Sequence, residues 1–548
     1  MAHIEINKEE FEELVGENIS KEKLNQEASL LGAHWNHVEG KKWDVEVYPN
    51  RPDLLSVEGL ARAYRGFFEI DEGMDRYKVE KGNIELQVDD SVEDVRPHIG
   101  GAVVKNLELS ERIINGLIQL QEKMHETMGR RRDKLAIGLH DLSTVEEPFT
   151  YKAVNPEQVS FTPLEYDRSM ELGEILDEHE KGRKYSWILE DEEKYPIIED
   201  SNGKILSFPP IINNQLTEVN EGTTDIFIDV TGKDKETVQK ALNILTTALA
   251  ERGGKIKSVN VDGEKMPDLS PEKTELELDY LKDIAGVYWT PKEAIFRLEK
   301  MNFGAKKKGS GKLKVKVPCY RTDIMHQYDL IEDVVIAHSY DNIDPELPEI
   351  DQIADQKDIE KFTDLTREVL ISAGALEAHT FILSSKEKLF DKMNRQEHEI
   401  VEMSNALTED YASVRNWLLP SMLEVLNQNK HHGYPQEFFE AEDVAILNDS
   451  DGGASNRRKL SYVISDKNVD FTQARETLQV VERDLGINFE IKPDEKEWFA
   501  TNRSADIFLN GKKVGLIGEI SDQVRENWEL EMPIAAFEMD LEKLKKVK

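Results

Sequence analysis

Four acids stand close together near the middle of the chain. Asp323 ends the alternating stretch KVKVPCYRTD, and Asp329, Glu332 and Asp333 follow in DLIEDVVIAH. On a helix the last three fall at i, i+3 and i+4, on one face near its start, and Asp323 can converge on that face. Four carboxylates without histidine or cysteine suit a hard, oxygen-liganded cation, Mg2+ before others. The preference of acids for a helix N-terminus explains two of the four without any metal, so both readings stand at this point. A second constellation lies in SFPPIINNQLTEVNEGTTDIFIDVTG, where small polar residues decorate two strands: Ser207, Asn213, Asn214 and Thr217, then Asp229 and Thr231. Asp229 and Thr231 are i, i+2 and share a face, while Ile226, Ile228 and Val230 take the core-facing side. No Ser-His-Asp triad accompanies them, and an ordinary strand–turn–strand accounts for the same residues. A third candidate, Arg415 with Glu440, sits in the helix–strand run VRNWLLPSMLEVLNQNKHHGYPQEFFEAEDVAIL.

Other signals carry less. KKKGSGKLK lacks the spacing of a phosphate-binding loop. His34, His37, His431 and His432 have no partner ligands nearby in sequence. GRRRDK at 129–134 and the lysines at 306–308, 312, 314 and 316 are the dense basic islands, open to phosphate contacts or to plain solvation.

The elements that carry these residues follow from pattern. Residues 11–68 and 281–342 share a layout: a short helix ending in glycine (FEELVG, LKDIAG), a helix start at Ser20 or Thr290, and a Gly-Ala stop at Gly32 or Gly304. An alternating strand and a second amphipathic helix complete each unit. Val45, Val47, Arg51 and Asp53 match Val315, Val317, Arg321 and Asp323 at a constant offset, which points to a duplicated small helix–strand–helix module. The first copy keeps Asp53 and Glu58 with Leu, Ser and Val between them, and is read as metal-free. Residues 85–265 are mostly strand: RPHIGGAVVKNL, KLAIGLHDL, YSWILE, KILSFPPII and TDIFIDVTG are apolar or alternating runs bounded by turn formers. Helices are expected at 111–129 and 233–252. After the acidic linker DPELPEIDQ comes a helix at 357–374, then mixed strands and helices to the end. The fold class is α+β multidomain, divided as 1–80, 85–265, 268–346 and 350–548.

Bulk properties bound the rest. A chain of 548 residues exceeds one core and suggests about three to five domains. The single Cys319 excludes an internal disulfide and a cysteine-rich zinc site. MAHIEINKEEFEELVG has neither the basic nor the apolar region of a signal peptide, and a cytoplasmic location is expected. Lys and Arg number 70 against 109 Asp and Glu, a net charge of −39. Either the protein avoids nucleic acid, or basic islands do the binding while the acid excess serves solubility, as in a saline cytoplasm.

VEVYPNRPDLLSVEGLARAY, LQEKMHETMGRRRDKLAIGLHDL, VPCYRTDIMHQYDLIEDVVIAHSYDNI and NRSADIFLNGKKVGLIGEIS with AAFEMDLEKL resemble the archaeal and eukaryotic phenylalanyl-tRNA synthetase beta subunits, in order and from about residue 4 to the end. The bacterial C-terminal anticodon-binding domain is not expected. The resemblance implies an alpha2beta2 heterotetramer that ligates phenylalanine to tRNA(Phe), with ATP and phenylalanine bound on alpha. It implies Mg2+ at Asp323, Asp329, Glu332 and Asp333. It also implies a β-rich editing domain that clears tyrosine from mischarged tRNA, where Asp229 would read the phenol while Thr231 or Ser207 positions the ester or a water. The last domain would be a class II synthetase-like fold without catalysis, because GLIGEIS offers no arginine to grip ATP phosphates. A free-standing aminoacyl-tRNA deacylase and a non-catalytic RNA-binding scaffold are the rival readings, and the deacylase has no use for that last domain.

Overall fold

The alternating stretches Lys42–Val47 and Lys312–Val317 each become the central strand of a three-stranded antiparallel sheet. The flanking strands are Ala2–Asn7 and Ala33–His37 in one sheet, Glu272–Glu277 and Gly304–Lys308 in the other. In both, alternation puts valines inside and charged residues outside; Val45, Val47, Val315 and Val317 are buried. The helix after each first strand ends at a left-handed glycine, Gly16 or Gly286, whose amide bonds the carbonyl four residues back. The second stop differs from expectation. Helix Pro291–Lys300, opened by a Thr290–Glu293 capping box, is followed by a left-handed Asn302, and Gly304 begins a strand. Asparagine tolerates that conformation, so the glycine is not needed there. The computed structural model describes residues 2–547 except 21, 22, 25–27, 38, 39, 350–352 and 450. Much of the helix expected from Ser20 therefore lies outside the described residues; among the described ones, a 3-10 turn, Ala28–Leu31, precedes Gly32.

The chain divides into two units, 1–347 and 348–548. The first holds both small sheets and, between them in sequence, a ten-stranded sheet. Its functional end is built by β1 (His98–Lys105), helix α1 (Glu111–Glu126), β2 (Leu135–Asp141), β3 (Ile205–Phe208) and β4 (Ile226–Gly232). Strand β4 lies between β1 and β2, antiparallel to both. Helix α2 (Lys235–Glu251), capped by Asp234, packs on β1 and β4. Strand β2 is at one end of the sheet and the short strand Ile212–Asn213, next to β3, is at the other. The sheet curls until these ends face each other: Asn213 Nδ2 donates to Leu139 O at 3.4 Å, and Arg132 Nη1 to Ile211 O at 2.7 Å. One expected strand fails. YSWILE lies at the end of helix Glu180–Tyr185 and in a 3-10 turn, Ser186–Ile188, with Trp187 half exposed. A six-residue apolar run does not by itself separate strand from helix end.

In the second unit, a helix α3 (Asp358–Ser372) precedes a seven-stranded sheet, antiparallel save for its edge pair. Helix α4 (Leu419–Asn429) and helix α5 (Phe471–Leu485) cover opposite faces. The alternation in the central strand Ala454–Ser465 serves both: Tyr462 enters the core with α3 and α5, Val463 the core with α4. Among the described residues no helix is long and apolar enough to cross a membrane.

Candidate functional site

Strand β4 has neighbours on both edges and layers on both faces, and all seven of its residues are buried. Ile226, Ile228 and Val230 enter the core. Asp229 and Thr231 face the other way, into a cavity of about 310 Å³ enclosed by α1, β2 and the β3 hairpin. Ser207 lines the same cavity, so the structure brings these three residues together. Thr231 Oγ1 accepts from Arg96 Nε at 3.0 Å, which leaves its own proton to be donated elsewhere. Asp229 Oδ2 lies 2.8 Å from His140 Nε2. Ser207 Oγ is buried and bonded to no protein atom, the state of a group that awaits a ligand or water. Asn214 does different work: it caps the turn at Leu216 and donates to Ile205 O at 2.6 Å.

Of four polar residues at the far wall, Gln121, Glu122 and His125 are not among the candidates in the sequence, and Arg132 enters only with the basic island 129–134. In helix α1, Leu117, Leu120 and Met124 form the buried stripe, and Gln121, Glu122 and His125 beside that stripe line the cavity. His125 Nε2 accepts from Ile137 N at 2.8 Å, so the proton of the neutral ring sits on Nδ1, which has no hydrogen-bond partner. Burial lowers its pKa to about 4, and the ring is neutral at pH 7. Glu122 Oε1 lies 3.8 Å from that nitrogen and 2.6 Å from Arg132 Nη2. Burial opposes its charge, but His125 and Arg132 hold the carboxyl down to about 2. Arg132 is the inner member of the basic island 129–134. It stacks over Tyr185 at 4.5 Å and ends a run of three left-handed residues, Arg130, Arg131 and Arg132. Such backbone costs energy and persists only where surroundings enforce it; here the side chain of Arg132 is tied to Glu122 and Ile211 O. Arg130 and Arg131 are exposed. The sequence signal was available: polar residues flanking an apolar helical stripe, followed by an arginine run.

The four acids are placed differently from one another. Arg321 Nη2 contacts Asp323 at 2.8 Å and Asp333 at 2.6 Å, all three well buried. Burial pushes the Asp333 carboxyl up to about 6 against the pull of Arg321. Asp329 Oδ2 accepts from Met325 N and His326 N at 2.7 Å, capping helix Gln327–His338, and Glu332 is exposed. The all-oxygen donor set fits a hard cation such as Mg2+ in chemistry. Among the described residues, no group of three or more acids, histidines or cysteines is placed to hold a metal ion: Arg321 occupies Asp323 and Asp333, and the helix cap occupies Asp329. The equivalent pair in the first small sheet, Arg51 and Asp53, is bidentate at 2.9 Å and buried.

Over nearly its whole length the chain is similar to archaeal proteins of one kind. It is 41% identical to the phenylalanine–tRNA ligase beta subunit of Thermococcus sibiricus, covering 99% of this chain and 98% of that one. It is 42% identical to the beta subunit of Archaeoglobus fulgidus, covering 97% of each. The chain belongs to the phenylalanine–tRNA ligase beta-subunit family. Family models match in three segments: the B3/4 domain at 104–260, the tRNA synthetase B5 domain at 274–340, and the phenylalanyl-tRNA synthetase beta chain CLM domain at 343–541. Among solved structures, an N-terminal fragment of the phenylalanyl-tRNA synthetase beta-subunit from Pyrococcus horikoshii superimposes with a TM-score of 0.60 at 39% identity, covering 62% of this chain and all of the fragment.

The cavity of this family member lies within the B3/4 match, and the Arg321 cluster within the B5 match. In the CLM segment, Arg415 and Glu440 meet but are spent on each other. Arg415 Nη1 donates to Glu440 Oε1 at 3.0 Å and to Thr380 Oγ1 at 2.6 Å, while Thr380 Oγ1 donates to Glu440 Oε2 at 2.7 Å. Arg415 is 2% exposed and Glu440 0%, so neither offers a free group to a nucleotide. His34 is exposed beside Trp35, which enters an aromatic core with Phe11, Trp43 and Tyr64; the His37 side chain lies outside the described residues. His431 and His432 are exposed and pack on each other.

Proposed function

We propose that this chain is the beta partner in the ligation of L-phenylalanine to tRNA(Phe), ATP + L-phenylalanine + tRNA(Phe) giving AMP + diphosphate + phenylalanyl-tRNA(Phe). Its central cavity hydrolyses tyrosine attached to that tRNA in error. The observation that carries the second statement is the pair of orphaned groups, Ser207 Oγ and His125 Nδ1, lining one cavity with Asp229 and Thr231. An apolar pocket shaped for phenylalanine rejects an added hydroxyl only modestly, roughly 100-fold in comparable cases, so a second sieve must read that hydroxyl. Asp229 accepts the phenol proton, and Thr231 or Ser207 donates to the phenol oxygen. Toward α1, the neutral His125 donates from Nδ1 to the ester, and the ionised Glu122 orients a water. Water adds to the ester carbon, the bond to the ribose oxygen breaks, and the tRNA hydroxyl leaves with a proton.

Further assignments complete the reading. Asp323, Asp329, Glu332 and Asp333 would hold Mg2+, which would supply positive charge to the acid group. Arg130 and Arg131 contact tRNA phosphates. Residues 1–80 and 268–346 are duplicated modules, 85–265 the editing domain, and 350–548 a class II synthetase-like domain without catalysis that docks alpha in an alpha2beta2 assembly. The exposed Leu376, Phe381, Ile382, Met403 and Leu407 support that docking role, since so much apolar surface in one unit favours a partner over water. The test of the editing reading is deacylation of tyrosyl-tRNA(Phe) by the assembled enzyme. Asp229→Ala and Thr231→Ala are expected to slow it about tenfold or more, as for an unpaired polar group costing roughly 1–3 kcal/mol. Unchanged rates in both would refute it.

A further inference from the structure

Beside Asp229, on the same face of the sheet but outside the cavity lining, lies a histidine that the proposed chemistry does not use. His140, on β2, is 0% exposed and is not among the cavity's lining residues. Its ring stacks on Phe227 at a centroid distance of 6.0 Å and an interplanar angle of 27°, which fixes the plane. Both nitrogens are engaged: Nε2 lies 2.8 Å from Asp229 Oδ2, and Nδ1 lies 2.8 Å from Thr217 Oγ1. The Thr217 hydroxyl is farther from its other acceptors, 3.1 Å from Asn214 O and 3.4 Å from Leu206 O. The shortest contact assigns its proton to His140 Nδ1. The imidazole proton then sits on Nε2 and is donated to Asp229. Gly138 supports the same arrangement from the neighbouring register position: a Cβ there would collide with Asp229 Oδ2 and His140 Nε2, so only glycine leaves room for the bond.

One oxygen of Asp229 is thereby held from the side, and Oδ1 is left for the cavity, without a protein partner among the described residues. A carboxylate with both oxygens free could turn and accept from either. We propose that His140 is a positioning residue that selects the Asp229 oxygen presented to the substrate and so sets the discrimination between tyrosyl and phenylalanyl esters, a role that rests on the cavity being the editing site. It touches no substrate. Its effect must therefore appear in recognition of the phenol and not in hydrolysis of esters in general.

The experiment uses the assembled alpha–beta enzyme and two variants of similar polarity. His140→Gln can place an amide N–H near the position of Nε2, whereas His140→Asn reaches only to the level of Nδ1. Deacylation of tyrosyl-tRNA(Phe) and of phenylalanyl-tRNA(Phe) is measured for each, with KM and kcat separated. His140→Gln is expected to keep kcat/KM for the tyrosyl ester within about threefold of the unsubstituted enzyme. His140→Asn is expected to lower it roughly tenfold or more through KM, the cost of one mispaired buried group, and to leave the phenylalanyl ester within about twofold. Equal behaviour of Gln and Asn, or a parallel fall for both esters, overturns the positioning role. Asp229→Ala, run alongside, separates the two levels. If it too deacylates the tyrosyl ester normally, the editing assignment falls and the role of His140 with it; if it fails while both His140 variants keep their selectivity, only His140 has been misread.

Discussion

Replacing Glu440 with leucine tests whether the Arg415–Glu440 pair is structural. The substitution removes three hydrogen bonds, from Thr380 N at 3.1 Å, Thr380 Oγ1 at 2.7 Å and Arg415 Nη1 at 3.0 Å. Arg415 keeps Thr380 Oγ1 and Asp443 O but faces no carboxylate in a site closed to water. Stripping one partner from a buried ion pair costs about 3–5 kcal/mol, most of it the stranded charge. A unit of this size has about 5–15 kcal/mol in total, so roughly a fifth or more of its stability should vanish. Hydrogen exchange of the amides in strand Gln436–Leu447 reads that loss locally, without requiring both units to unfold together. The Arg415→Met, Glu440→Leu double variant should recover most of it, because no charge is left stranded, and its complex with alpha should still exchange pyrophosphate. A single variant within about 1 kcal/mol of the parent, or a folded double variant that has lost pyrophosphate exchange, would refute the structural reading.

Arg130→Ser with Arg131→Ser should weaken tRNA binding and flatten the slope of log K against log salt by about 1.4–1.8, from roughly 0.7–0.9 per phosphate contact; an unchanged slope would remove these residues from the interface. Acidification should destabilise the first unit. His125 has a folded pKa of about 4, below its ordinary 6.5, so the unfolded chain binds the extra proton, and stability present above pH 6.5 is lost as pH falls toward 4. The full loss is about 3 kcal/mol, and urea titrations at pH 7 and pH 5 should show part of it in the parent and little in His125→Gln. Asp329→Asn, Glu332→Gln and Asp333→Asn together should abolish binding of a Mn2+ probe and weaken assembly with alpha; retention of the ion would place the metal elsewhere.

Much of the frame was legible because its signals are local. The alternation at 42–47 and 312–317, the glycines at 16 and 286 and the cap at Asp234 each act through a few neighbouring residues, and each lies where the pattern puts it. Asp229 and Thr231 could be paired because a strand has a strict period of two. Their surroundings could not be read the same way. Strand β4 proves buried on both faces, so the polar side looks into a cavity that exists only because the two ends of the sheet meet. Glu122, His125 and Arg132 reach that cavity from a helix and a left-handed turn, and nothing in their spacing links them to β4. The acids at 323–333 illustrate the opposite limit. Their helical spacing was correct, yet Arg321, two residues before Asp323, captures two of them, and a capping bond takes a third.

The curl of the ten-stranded sheet has a bearing on how the proposed editing could drift. Opposite walls of the cavity belong to strands at opposite ends of the sheet, joined by side-chain bonds and not by a backbone ladder. The gap between them is therefore a gauge set by the curvature of everything in between. Phe149 packed against Phe227 at 4.8 Å helps to fix that gauge from outside the cavity lining. Under the proposed editing role, a change of one methylene far from the cavity would widen or narrow it, and so alter which ester is admitted, while every polar group in the site stays in place.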